Sequence, residues 1–299
     1  MTDETKRKHI WAKTFTSIIG IMLVATLVFS SIVSALGEAF KNSPIYTYLS
    51  YGISSIALLC AIALVKFGFK AEMKSLFNRP EKKYIFALPL IAAGCFFAFS
   101  NLNVLFVKFL SLFGYVEPNS ELPEFSPSTF AILFIVVCVL PAIMEEILFR
   151  GFIALDLSFL GVVRSALISA LLFALYHLNP AKTLYQFVLG FIFSIVALKS
   201  RSIIPGMILH FLNNFVVLII CYAVPGWNGF TGVALIVSII FGLLCLALGL
   251  YMVLKSSNES IDEYKDCKAN NIGFVEGLLY LAPGLIVAVA VWITSLFVR

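Results

Sequence analysis

The residues best suited to chemistry are Glu145, Glu146 and Arg150, in the string Glu145-Glu146-Ile147-Leu148-Phe149-Arg150-Gly151. They follow a stretch, Phe130–Met144, that carries no charge. An ionised group at the centre of a bilayer costs roughly 2.5–3.5 kcal/mol on insertion scales, so it persists where a partner or a task offsets that cost. On a helix Glu146 and Arg150 are i,i+4, with the acid N-terminal to the base, the favourable order for a pair. Glu145 lies about 100° further round the helix. The spacing therefore divides the labour: Glu146 and Arg150 neutralise each other, and Glu145 faces a cavity.

The chain has three histidines. His9 lies in a basic N-terminal tail and is expected to be solvated. His177 and His210 fall inside apolar segments. Phe173 and His177 share a helix face by i,i+4 spacing, as do His210 and Asn214, while Asn213 points elsewhere and can bond between helices. Any one intramembrane His or Asn can be interhelical glue, and a lone Glu–Arg pair can be a structural clip or part of a transporter. Two acids, a base, two histidines and an asparagine on three separate segments together point to a polar cavity.

A glutamate and a histidine around a buried water form a hydrolytic arrangement, with the carboxylate taking a proton from the water and the imidazole orienting it. Histidine and asparagine donors on one face can stabilise the oxyanion of a tetrahedral intermediate. No serine or cysteine stands beside a histidine in a nucleophile motif, and Ser169 and Ser194 read as packing residues. Zinc is the other use of such residues, and Glu145, His177 and His210 would be its ligands. The HExxH spacing that places two histidines on one helix face is missing, so a metal-free, glutamate-activated water is the preferred reading and no cofactor is firmly implied.

These groups need a scaffold, and composition says which kind. The chain has 299 residues, 61% hydrophobic and 12% charged, with mean hydropathy +1.01. Soluble domains carry about 25% charged residues. The expected fold is all-α: a polytopic transmembrane helix bundle forming one integral membrane domain over 1–299, with a catalytic core at about 129–224. Candidate spans are 15–36, 46–66, 84–113, 129–150, 162–178, 182–198, 203–224, 230–254 and 275–298. The third is long and is expected either to kink near Asn101 and Asn103 or to tilt. The fifth and sixth are short, so the count is eight or nine. The first apolar run is too long for a signal peptide and is read as a retained span.

Basic residues set the orientation. One side collects Lys6, Arg7, Lys8 and Lys13, the 66–83 loop, Arg150, Arg164, Lys199, Arg201, Lys255, Lys265 and Lys268. The positive-inside rule makes that side, and the N-terminus, cytoplasmic. The Gly114–Ser128 loop, with Glu117, Glu121 and Glu124 and no Lys or Arg, should face outward. The net charge of +5 is thus a topology signal and implies no nucleic-acid partner. The 66–83 loop, basic with interleaved Phe67, Phe69, Leu76 and Phe77, is either an interfacial helix on anionic lipid or a solvated loop. Lys255–Asn271 reads as a polar cytoplasmic connection. None of the six cysteines forms a CxxC pair, so a disulfide framework or cysteine zinc site is not expected.

The strings Glu145–Gly151 (EExxxR, then Gly), Phe173–His177 (FxxxH) and His210–Asn214 (HxxxN) resemble, in order and without departure, the signature of the CPBP family. That family joins type II CAAX prenyl endopeptidases with the Abi group, linked to bacteriocin processing and self-immunity. The resemblance implies that Glu145 activates water with His177 as its partner, and that His210 and Asn214 stabilise the oxyanion. Glu146, Arg150 and Phe173 would be supporting residues. The expected protein is a multi-pass intramembrane endopeptidase, in the plasma membrane if bacterial. Its partners would be membrane lipids and a lipidated or membrane-embedded peptide; oligomeric state is left open. Alternatives are a non-proteolytic immunity or binding protein of the same fold, or a proton-coupled transporter.

One geometric demand follows. If span four ended at Arg150 and span five began at Val162, Glu145 and His177 would differ in depth by roughly 10–15 Å. Span four is therefore expected to run on to about Leu155.

Overall fold

The structure, a computed structural model, describes residues 9–117, 122–227, 229–255 and 271–297. It is an all-α polytopic bundle. Among the described residues, eight helices are long and apolar enough to cross a membrane: α1 (Ile10–Leu36), α2 (Pro44–Gly68), α3 (Tyr84–Ser111), α4 (Pro127–Leu160), α6 (Pro180–Ser200), α7 (Ile204–Ala223), α8 (Gly232–Leu254) and α9 (Phe274–Ser295). Between α4 and α6 lies the shorter α5 (Val162–Tyr176). The protein is an integral, multi-pass membrane protein, and its eight long helices plus one short one match the expected eight or nine spans.

Local chemistry sets the helix ends. Ser43 caps α2 by accepting a bond from the Tyr46 N–H, and Ser126 caps α4 by accepting from Thr129. Each is followed by a proline at the first helical position, where the missing N–H is no loss. Gly161, at φ 84°, turns the chain between α4 and α5 through a left-handed conformation that a side chain would strain.

Helix α4 carries the largest irregularity. Its hydrogen bonding widens to the π pattern over Phe134–Val139, returns to α over Leu140–Glu145, widens again over Glu146–Leu155 and tightens to 3-10 over Asp156–Leu160. Pro141 contributes a physical cause: it has no N–H to offer the Val137 carbonyl four residues earlier. The helix does run past Arg150, as the depth demand required. Glu145 and His177 each stand sixteen residues from the Gly161 reversal. At about 1.5 Å per residue each is then about 24 Å along its helix from the same turn, which meets the depth demand. Cross-contacts between α4 and α5 confirm the pairing: Ser169 Oγ donates to the Phe149 carbonyl at 2.9 Å, and the Phe149 and Phe173 rings meet edge-on at 5.1 Å.

The basic end of the bundle is also tied together. The Trp11 N–H donates to Asp156 Oδ2 at 3.0 Å, which fastens the start of α1 to the end of α4. The loop before α3 is not an interfacial helix; its only helical stretch is the single turn Lys74–Leu76. Leu76 is buried in the core formed with Ile147, Leu148 and Ile203, and its carbonyl accepts from the Ile203 N–H at 2.9 Å.

Helix α3 is one unbroken helix over Tyr84–Ser111, and its Asn101 is a loop anchor: it donates to the Phe230 carbonyl and accepts from the Phe230 N–H. One further expectation is corrected. His9 is not solvated; it stacks on Tyr280 and its Nε2 lies 3.3 Å from Glu276 Oε2. Ser169 and Ser194, read as packing residues, do bond to one another, at 3.3 Å. The Lys255–Asn271 connection, the tail basics Lys6–Lys8 and Cys267 lie essentially outside the described residues.

Candidate active site

Glu145, Glu146 and Arg150 all lie on the irregular part of α4 and are buried, Glu146 and Arg150 completely. Arg150 Nη1 stands 2.8 Å from Glu146 Oε1, the pair expected from spacing. The contact is a close ionic one; Nη1 has no well-aligned hydrogen bond. The other terminal nitrogen donates to the Gly190 carbonyl of α6 at 3.4 Å. Two aromatic faces complete the arginine's surroundings, with its guanidinium carbon 4.3 Å from the Phe173 ring centroid and 5.5 Å from that of Phe193. Desolvated cation–π contacts of this kind are worth about 2 kcal/mol. Phe173 thus supports the site by covering the cation.

His210 reaches the pair from α7. Its Nδ1 is 2.9 Å from Glu146 Oε1, so one carboxylate oxygen meets both Arg150 and His210. A bond at Nδ1 leaves Nε2 as the nitrogen turned toward other chemistry. Close approach of α7 makes this geometry feasible. A Cβ on Gly206 would lie 2.5 Å from Glu146 Oε2, so only glycine leaves room for the carboxylate there.

Glu145 is in a different state. Its Oε2 is buried without a hydrogen-bond partner among the described residues. The nearest opposite group is His210 Nε2 at 3.8 Å, too far for a direct hydrogen bond. One oxygen placed about 2.8 Å from each atom would bridge them. The Tyr176 hydroxyl is directed at the same carboxylate.

His177 caps α5. Its Nδ1 is 2.8 Å from the Phe173 carbonyl, and its ring packs edge-on to Phe173 and Tyr176 at 4.8 and 5.0 Å. It thus joins the cluster by way of Phe173, which also meets His210 at 6.0 Å. Asn214 is one turn beyond His210 but bonds elsewhere: its Nδ2 donates to the Val137 carbonyl at 3.0 Å. The two side chains face the same helix, α4, at different levels.

The described residues contain no group of three or more His, Cys, Asp or Glu side chains placed to hold a metal ion. The conditional ligand set Glu145, His177 and His210 is therefore not assembled among them.

Two contributors, Tyr176 and Tyr185, escape motif spacing. Tyr176 was visible only as the neighbour of His177, since a tyrosine in an apolar helix is unremarkable by itself. Asn213 carries a bond between helices, as expected, accepting from the Tyr185 hydroxyl of α6 at 2.7 Å.

The site is a polar, charged cluster enclosed by the helices of an integral membrane protein. Residues 127–216, which span α4 to the middle of α7, match the family model described as Type II CAAX prenyl endopeptidase Rce1-like. The chain is similar to that family over this segment, and the three strings Glu145–Gly151, Phe173–His177 and His210–Asn214 all lie within it. Neither the curated proteins nor the solved structures gave a match.

Proposed function

We propose that this protein is an intramembrane endopeptidase that hydrolyses lipidated, CAAX-type, or membrane-associated peptides with a glutamate-activated water. The observation that carries the reading is the contrast between the two adjacent carboxylates. Glu146 is committed to Arg150 and His210, whereas Glu145 keeps a buried oxygen without a protein partner beside His210 Nε2.

In this reading Glu145 takes a proton from water as the water oxygen bonds to the scissile carbonyl carbon. Negative charge collects on the carbonyl oxygen, where donors from His210 and Asn214 stabilise it. The proton then passes to the departing amine as the C–N bond breaks. His177 is the partner that orients the water at the level of Glu145. Glu146 fixes the His210 ring, and Arg150 neutralises Glu146 so that two adjacent carboxylates can coexist in low dielectric. The partners are membrane lipids and a peptide carrying its own apolar anchor.

The test uses purified protein on a farnesylated peptide and its unmodified counterpart, with and without chelator. Wild type cleaves the farnesylated peptide, Glu145→Gln lowers the rate by about 10²–10⁴-fold as expected for loss of a general base, and chelator changes nothing. No cleavage by wild type, or undiminished cleavage by Glu145→Gln, defeats the reading. A rate abolished by chelator and restored by zinc would replace the metal-free step.

A further inference from the structure

A chain of three hydrogen bonds crosses the bundle one turn from His210. The Tyr185 hydroxyl of α6 donates to Asn213 Oδ1 at 2.7 Å. Asn213 Nδ2 donates to Asn214 Oδ1 at 3.1 Å, and Asn214 Nδ2 donates to the Val137 carbonyl of α4 at 3.0 Å. Three separate helices are therefore joined through two neighbouring carboxamides.

The chemistry of the last member sets the direction of the whole chain. A backbone carbonyl only accepts. Val137 is also the carbonyl that loses its α-helical donor, because the residue four positions on is Pro141. Its own helix offers it no i+4 N–H, and Asn214 supplies a donor with Nδ2. Asn214 must then turn Oδ1 away from α4, toward Asn213. Asn213 must answer with Nδ2, which leaves its own Oδ1 for Tyr185, and a tyrosine hydroxyl meets that oxygen as a donor. Reversing any one amide would set two donors or two acceptors face to face. In a low-dielectric interior such a mismatch costs about 1–3 kcal/mol per buried group.

The carboxamide of Asn214 is therefore locked by both ends. One N–H is spent on Val137, and the second N–H on the same nitrogen has its direction fixed by the amide plane. We infer that Tyr185 and Asn213 are positioning residues, which hold the Asn214 carboxamide in the orientation that presents this remaining N–H to the carbonyl oxygen of the substrate. The inference rests on the proposed role of Asn214 as an oxyanion donor. It adds Tyr185, which belongs to none of the three motifs, and it gives Pro141 a purpose: freeing the carbonyl that orients the network. A preorganised donor acts on the developing charge of the transition state more than on the bound substrate, so its disturbance falls on kcat.

The experiment is a double-mutant cycle between Tyr185→Phe and Asn214→Ala. It is read in two ways: by kcat and KM on the farnesylated peptide, and by thermal unfolding of the purified protein in detergent. Tyr185→Phe keeps the ring and removes only the donor. It is expected to lower kcat about tenfold, the worth of one hydrogen bond, with KM unchanged. In the Asn214→Ala background the same substitution should lower kcat no further, and should lower Tm less than it does in the wild type. Asn213→Asp, which places an acceptor opposite Asn214 Oδ1, should lower kcat more than Tyr185→Phe does. Wild-type behaviour of Tyr185→Phe, or losses in Tm and kcat that add regardless of residue 214, overturns the inference. If wild-type protein cleaves nothing, the endopeptidase reading falls, while the Tm cycle still decides the chain: coupling between residues 185 and 214 upholds the lock, and additivity removes it.

Discussion

Two helix pairs in this bundle meet the membrane in opposite ways. In α4 and α6 the most apolar stretch is 44% and 50% buried inside the protein. In α3 and α8 the figure is 22% for each. The first pair carries Glu145, Glu146, Arg150 and the carbonyls that receive Arg150 and Asn214. The second pair is held by backbone proximity: a Cβ on Gly94 would lie 2.6 Å from the Leu246 N, a distance no side chain tolerates. The outer faces of this pair, such as Leu244 at 65% exposure, are left to lipid. Charge resides where other helices exclude the hydrocarbon, and small residues bring together the helices that remain in it. This follows from the two alternatives a membrane allows, polar groups satisfied inside the protein or close van der Waals packing without them.

The comparison can be broken at its strongest point first. Arg150→Leu leaves Glu146 buried without its cation, and losing one partner of a buried pair costs about 3–5 kcal/mol. Unfolding of the detergent-solubilised protein should show the largest loss of stability of the three variants, with activity lost as well. A wild-type unfolding midpoint would mean that Glu146 is held by His210 alone.

Gly94→Leu attacks the other pair. Overpacking a close helix contact costs about 1–3 kcal/mol. Stability should fall by that amount while the kcat of the protein that remains folded stays at the wild-type value. A kcat that falls with it would show that the α3–α8 pair shapes the site after all. The smallest effect is expected on the lipid face, where Leu244→Ala should change stability by no more than about 0.5 kcal/mol. A larger loss would mark that face as a protein contact.

Much of this architecture was legible in the chain. Eight of the nine apolar runs became long helices, and the ninth, too short to span unaided, became α5. The Glu146–Arg150 pair followed from i,i+4 spacing because that relation is local to one helix. The common depth of Glu145 and His177 was only a demand; the continuation of α4 to Leu160 and the Gly161 reversal met it. The loop before α3, left open between an interfacial helix and a solvated loop, has a single helical turn whose Leu76 is buried beside α4, a contact between distant segments that its own composition does not contain. His9 was misjudged for the same reason: its partners Glu276 and Tyr280 are more than 260 residues away.

The sequence alone determined an all-α membrane bundle, the position of its polar residues along each helix, and which of them share a face. Hydropathy and a period of 3.6 residues are properties of single segments, so a linear reading captures them. Only the tertiary structure decided that His210 stands between the two glutamates, that Asn214 bonds to the carbonyl Pro141 frees, and that Tyr185 and Tyr176 join the network. Those contacts depend on how α4, α5, α6 and α7 are rotated and offset against one another. Packing between helices fixes that rotation, and no spacing within one helix contains it.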